Sequence, residues 1–349
     1  MTKQTWTAVV SAILFVVSAA AIAMVPVKYV VWAPGPTQNL LGQANGRPLV
    51  AVSGVQTYPT SGELMLTTVA VTRADAELSL PEALYAHWIP DRAVMPRDVV
   101  YPAGSSLGDV REREVEMMDS SQSEAVAAAI QAAGLPIQRV PRVVSVATAG
   151  PSDDRLEVGD LILRVDGKAV TSPDEVDKIV DTRQIGDQVT FSVERDKAVS
   201  DVTVTTVSSK STAGAPIVGV TLDAGYRHSV GVEFGVDETV GGPSGGVMFA
   251  LAIYDKLTPS GLVGDTRVAG SGEIDGTGKI GPVGAIQSKV VAAKRDGAAV
   301  FLVPESNCAD LGVGPAGIRV VSIGSLGQAI DALGALDDPA RQASVKGCS

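Results

Sequence analysis

Histidine is almost missing from this chain: among 349 residues there are only His87 and His228. They stand far apart without ligand spacing, so no metal set can be assembled from them. The same scarcity makes a Ser-His-Asp triad a poor fit. Cysteine is as rare, with Cys308 and Cys348 alone. In an oxidising compartment these two could pair and tie the C-terminal tail to the preceding domain. The other reading is one buried thiol and one on a free end, and both stand open. Positive charge is in deficit, since 28 Lys and Arg face 39 Asp and Glu for a net −11. No basic cluster occurs, which argues against nucleic acid as a partner. Aromatic residues make up only 4% of the chain against 45% hydrophobic, which implies sizeable cores packed from small side chains.

Thr7 to Val27 holds no charged residue, a run long enough to cross a bilayer as a helix. Lys3 precedes it and Lys28 follows, so the flanking charge says little about direction. Trp6, Tyr29 and Trp32 are expected at the two interfaces, as in aromatic belts. Ala21-Ile22-Ala23 also fits a small-x-small cleavage site of a signal peptide. The length of the apolar run favours a retained single-pass anchor over residues 1–32. Either reading puts the bulk of the chain outside the cytoplasm.

Residues 33–134 form a strand and helix region. Pro34-Gly35-Pro36, Gly42 and Gly46 make 33–48 a turn-rich lead-in. Leu49 to Val52 and Leu64 to Val71 read as strands, whereas 79–111 resist assignment. Ser120 to Ala133 reads as a helix with Ser121 and Glu124 as a capping box, ended by Gly134. Within 135–207, Arg142 to Val146 reads as a strand and Gly159 to Gly167 as a strand and tight turn. Ser172-Pro173-Asp174-Glu175 reads as a capped helix start. Val189 to Glu194 and Val202 to Thr205 read as a hairpin around Asp196-Lys197. This order, with Gly150-Pro151-Ser152 and Val158-Gly159-Asp160-Leu161-Ile162-Leu163, resembles PDZ domains of bacterial proteases. The resemblance implies capture of an extended peptide by strand addition beside the Ser172 to Thr182 helix. Gly134-Leu135-Pro136-Ile137 is a candidate carboxylate-binding loop, with a plain helix end as the alternative. Residues 208–215 read as a polar linker.

The chemistry concentrates in Gly241-Gly242-Pro243-Ser244-Gly245-Gly246. Paired glycines let the backbone turn sharply and leave the Ser244 hydroxyl uncovered. The apolar run Val247 to Tyr254 reads as a buried helix, whose first N–H groups would face an oxyanion. Further on, Ile286, Val290, Ala293 and Gly297 share a helical stripe, and Lys289 borders it. A lysine so placed loses its proton more easily and can serve as base towards a serine. A snorkelling surface lysine is the alternative.

Gly242-Pro243-Ser244-Gly245-Gly246, Gly270-Ser271-Gly272-Glu273-Ile274, and Ile280 to Lys289 followed by Ala292-Ala293 resemble the proteolytic domain of the Lon peptidase family. The resemblance covers about Pro216 to Leu333. It implies Ser244 as nucleophile and Lys289 as general base, with Ser271 in place of the family's threonine supporting the dyad. Gly242, Pro243 and Gly245 then form the nucleophile and oxyanion loop. Two departures are Val240-Gly241 for Lys-Asp before the loop, and Gly245 for alanine. Asp237 and Glu238 read as a solvated loop. Gly276-Thr277-Gly278-Lys279 imitates a phosphate loop but lacks its first glycine, having Glu273 there, and its Ser or Thr after the lysine. It reads as a hairpin turn, and the family's ATPase module is not expected.

The expected fold is α+β and multidomain: an N-terminal transmembrane helix, a PDZ-like domain at 135–207, and a C-terminal Lon-type α/β proteolytic domain at 216–336, with a loose tail at 337–349. The expected function is an ATP-independent serine endopeptidase acting on protein or peptide substrates, without metal or cofactor. Its alternative is a non-catalytic adaptor or membrane-surface chaperone. Partners are peptides and the membrane, not nucleic acid or ATP, and a homo-oligomer is left open.

Overall fold

A computed structural model describes residues 2–348 except 74, 90, 102–105, 210, 211, 213, 238–240, 260 and 313. Glu238 and Val240 thus lie outside the described residues, as do 210, 211 and 213 of the expected linker. Helix α1, Lys3–Ala23, begins at an N-cap Thr2 whose hydroxyl accepts from Thr5 N–H. Its apolar side chains are exposed, including Phe15 and Val16. Strand β1, Tyr29–Asn39, follows almost at once. Pro34-Gly35-Pro36 does not end it, because the three residues are absorbed as an irregularity in the pairing of β1 with β3, Glu63–Val71. Between them runs β2, Val50–Ser53. Trp32 pairs with Val71 on one side and Ala93 on the other, so it belongs to the protein's sheet and not to a membrane interface. The region without a sequence assignment holds α2, Leu80–Trp88, and β4, Ala93–Pro96.

Helix α3 spans Leu107–Ala132 and starts at Ser106, where a capping box with Asp109 satisfies the first N–H groups. The helix formers from Arg111 to Met118 carry it through Ser121 and Glu124, which are therefore interior. The expected capping box at those residues does not exist. Their side chains bond to other segments.

Residues 134–230 form a compact unit of their own. It contains β5 Gln138–Val146, β6 Leu161–Val165, α4 Pro173–Val180, β7 Gln188–Arg195, β8 Ala198–Thr205 and β9 Val220–Arg227. The sheet order is β8-β7-β6-β5-β9. Phe191, Ile162, Val165 and Val189, each fully buried, centre its core. Asp160, buried, takes a bidentate pair from Arg195 at 2.7 Å to each oxygen. Asp196 and Lys197 both have positive φ, the geometry a two-residue hairpin needs. Ser172 makes no capping bond; Glu175 instead accepts from Thr171 N–H at 2.7 Å.

Two expected boundaries change here. β9 belongs with this unit, because it pairs with β5 from Val220 opposite Val146 to Arg227 opposite Gln138. The first residue of the expected linker is in a strand pair, since Val207 pairs with Ile217 and Ser208 with Pro216.

The second unit joins residues 1–133 to 231–349. Strand β10, Gly231–Phe234, pairs antiparallel with β2. Then come α5 Gly246–Leu257, β11 Arg267–Gly270, the short β12 Glu273–Ile274 and β13 Ile280–Gly281, α6 Ile286–Arg295, β14 Val300–Pro304, β15 Arg319–Ile323 and α7 Leu326–Leu336. One six-stranded sheet has the order β15-β14-β11-β3-β1-β4. β11 lies parallel to β3, with Gly270 opposite Leu66. Residues 33–134 are therefore not a separate region, because β1, β3 and β4 all lie in this sheet. The tail is also held: Cys308 and Cys348 are disulfide-bonded, and Ser322 N–H donates to Lys346 O at 3.0 Å.

Candidate active site

The loop before α5 turns at Gly242, whose φ of +86° suits glycine. Pro243–Gly245 then make a single 3-10 turn and α5 begins at Gly246. Val247 to Ile253 are wholly buried, which fixes the helix and so the loop at its head. Ser244 is only half-buried. Its carbonyl accepts from Gly272 N–H and from Ser271 Oγ, both at 2.9 Å, and Val247 N–H donates to Gly272 O at 3.1 Å. The Ser271-Gly272 corner is thus clamped to the serine loop on both sides. Gly245 is tightly enclosed: a Cβ there would lie 2.7 Å from Leu66 Cδ1, so that side chain would have to shift. The departure from alanine at this position matches a leucine supplied by β3.

Lys289 on α6 is 2% exposed, and its ammonium donates to Ser271 Oγ at 2.8 Å. The one proton of the Ser271 hydroxyl is committed to Ser244 O, so its lone pairs face the lysine. Burial pushes the Lys289 pKa down to about 7, against the opposing pull of the Glu273 carboxylate. Glu273 is itself raised by desolvation, partly offset by Lys289, so the dry surroundings outweigh the attraction on both partners. Ser244, Ser271 and Lys289 are brought together. Among the described residues no hydrogen bond joins Ser244 Oγ to Lys289 Nζ directly; the link runs through Ser271.

Helix α3 adds residues that the sequence reading did not assign to the site. Ser121 Oγ donates to Pro243 O at 2.9 Å, and the Glu124 carboxylate accepts from Gly276 N–H. Their three-residue spacing had the form of a cap, which hid this role. Gly276 to Lys279 form the β12–β13 turn, with Asp275 Oδ1 accepting from Thr277 N–H at 2.9 Å and Lys279 N–H at 3.0 Å. Gly284, just before α6, sits against Trp32: a Cβ would lie 2.8 Å from Cζ3. Among the described residues no group of His, Cys, Asp and Glu could hold a metal.

A second feature belongs to the unit 134–230. β5 has a neighbour on each side, β6 and β9, so Gly134 to Ile137 lead into an inner strand. The sheet's two edge strands are β8 and β9, and α4 lies against β9 and its neighbour β5. The approach to β9 turns at Gly219, with φ +75°, and is tied down where Ser152 Oγ donates to Val218 O at 2.5 Å.

Comparison with known proteins finds two families in the chain. A PDZ domain family matches residues 115–206, and the Lon protease (S16) C-terminal proteolytic domain matches residues 234–325. Lon protease 1 of Herpetosiphon aurantiacus is 42% identical over 77 residues, which cover 22% of this chain and 9% of that protein. The Lon protease of Rhizobium meliloti is 29% identical over 132 residues, covering 32% of this chain and 16% of that protein. The chain thus spans a small fraction of the length of these relatives. The PDZ domain of an SdrC-like protein from Listeria monocytogenes is 28% identical, covering 24% of this chain and 86% of that one, at a TM-score of 0.23. The chain carries a PDZ domain followed by a Lon-type C-terminal proteolytic domain.

Proposed function

We propose that this chain is a membrane-anchored serine endopeptidase that works without ATP, with its catalytic unit outside the cytoplasm. The observation that carries the reading is the buried Lys289, with a pKa near 7, hydrogen-bonded to the serine loop through Ser271. In this reading Ser244 Oγ attacks the peptide carbonyl and its proton passes to neutral Lys289. The N–H groups of Gly246 and Val247 are engaged with Pro243 O and Gly272 O, so the oxyanion is assigned to those of Ser244 and Gly245. Lys289 then returns the proton to the leaving amine, and the acyl group on Ser244 is released by water with Lys289 again as base.

Helix α1, long and apolar enough to cross a membrane, supports the anchor. The Cys308–Cys348 disulfide supports an oxidising compartment. Recruitment is assigned to the PDZ unit, where an extended segment would add to the open edge of β9 beside α4. A second reading, an adaptor that binds without cutting, draws on the missing direct bond between Ser244 and Lys289. A fluorophosphonate probe separates the two. Labelling that disappears in Ser244→Ala supports the peptidase, whereas an unlabelled wild-type protein that also leaves short peptides intact sinks it.

A further inference from the structure

Helix α2, Leu80–Trp88, is built the wrong way round for a helix on a water-facing surface. Its inward side chains are small, Ala83 and Ala86, while Leu84, Tyr85 and Trp88 are 44%, 61% and 76% exposed. At about 100° per residue, Leu84, Trp88, Pro81 and Tyr85 form one continuous outward arc without a charge. The acidic and basic members, Glu82 and His87, fall outside that arc. Glu82 is occupied as a cap, accepting from Ser79 N–H at 2.9 Å and Ser79 Oγ at 2.8 Å. The Arg92 guanidinium lies 5.8 Å from the Tyr85 ring centroid, at the polar border of the arc.

The position of α2 says what covers this face. Leu80 N–H, at the first residue of α2, donates to Val25 O at 3.3 Å. Pro26 and Val27 pair with Ser79 and Leu78. The helix is thus fastened to the residues that follow α1 at the end of the apolar segment. Nine residues rise about 13 Å, so Trp88 stays within that distance of the anchor's end. The interfacial layer of a bilayer is of the order of 5–10 Å deep on each side. A helix fastened there reaches water only if it stands upright, and its outward arc is what an interfacial helix presents to the acyl boundary. Tryptophan and tyrosine are the side chains favoured at that depth.

We propose that the Leu84, Tyr85 and Trp88 face of α2 is immersed in the phospholipid interface and is a second membrane contact besides α1. The proposal rests on the anchored reading above. It holds β1, which follows the anchor and reaches the lysine helix through Trp32 and Gly284, at a set height over the bilayer.

The test uses full-length protein in phosphatidylcholine and phosphatidylglycerol vesicles, with and without brominated acyl chains. In Trp6→Phe protein, the part of the emission that a further Trp88→Phe removes should be mostly quenched by brominated lipid and protected from iodide. The remaining emission of Trp32 should be little changed. Emission from Trp88 that is unquenched and open to iodide overturns the proposal. Emission that is unquenched but shielded means a protein partner or second copy covers the face, and overturns it too. Trp6, read in the Trp88→Phe protein, separates the two levels. If Trp6 is quenched while Trp88 is not, the anchor stands and this contact fails; if neither is quenched, both fail.

Discussion

Protonation of Lys289 should set the pH dependence of cleavage. An ordinary lysine near pKa 10.5 is neutral in only about one molecule in 3,000 at pH 7. With its pKa lowered to about 7 by burial, about half of the molecules hold the neutral base at that pH. The shift corresponds to a free-energy difference of the order of 5 kcal/mol between the two protonation states. The same shift has a consequence for stability. Between pH 7 and 10.5 the unfolded chain binds the Lys289 proton and the folded one does not, so stability rises with pH across this window. The measurement is kcat/KM on a short internally quenched peptide from pH 5.5 to 9. It should climb about tenfold per unit below the midpoint and level off above it, with the midpoint near 7. Lys289→Arg should be inactive at every pH, because arginine keeps its proton. Lys289→Gln should be inactive yet folded, and should lose the rise in stability between pH 7 and 10.5. A flat profile through pH 7, or near-normal turnover by Lys289→Arg, refutes the assignment, and Lys294 would be the next lysine to examine.

Ser121→Ala removes the donor to Pro243 O and should cost about 1–2 kcal/mol in denaturant unfolding. It should lower kcat more than it raises KM, because it loosens the serine loop and not the peptide contacts. Gly245→Ala places a methyl 2.7 Å from Leu66 Cδ1 and should destabilise by about 1–3 kcal/mol. Leu66→Val in the same protein should recover part of that loss; additive losses would show that the two positions are uncoupled. Cys348→Ser opens a loop spanning a sequence separation of 40 and should cost about 4 kcal/mol on chain-entropy grounds. An unchanged thermal midpoint in Cys348→Ser would show that the tail's hydrogen bonds hold it without the bridge.

Local chemistry could be read without coordinates. The glycine-flanked Ser244, the apolar run of α5 and the stripe beside Lys289 are short-range patterns. So are the turn at Asp196-Lys197 and the β12–β13 turn. Each depends on backbone freedom or periodicity within about ten residues, and the sequence states these directly. What the sequence could not state was where free edges and side chains would go. A strand at Glu63–Val71 is plain from its composition, but its place beside Arg267–Gly270 depends on matching sheet edges some 200 residues apart. The assignment of Val220–Arg227 to the PDZ sheet depends on its pairing with β5, and its neighbouring residues carry no mark of that choice. Ser121 and Glu124 have the same spacing in a cap as in a helix interior. Only the start of α3 at Leu107 freed them to hold the serine loop and the Gly276 turn. The depth of Lys289, too, is a tertiary fact: its helix shows one apolar stripe, and the sheet beneath decides that the flanking lysine is dry enough to lose its proton near neutrality.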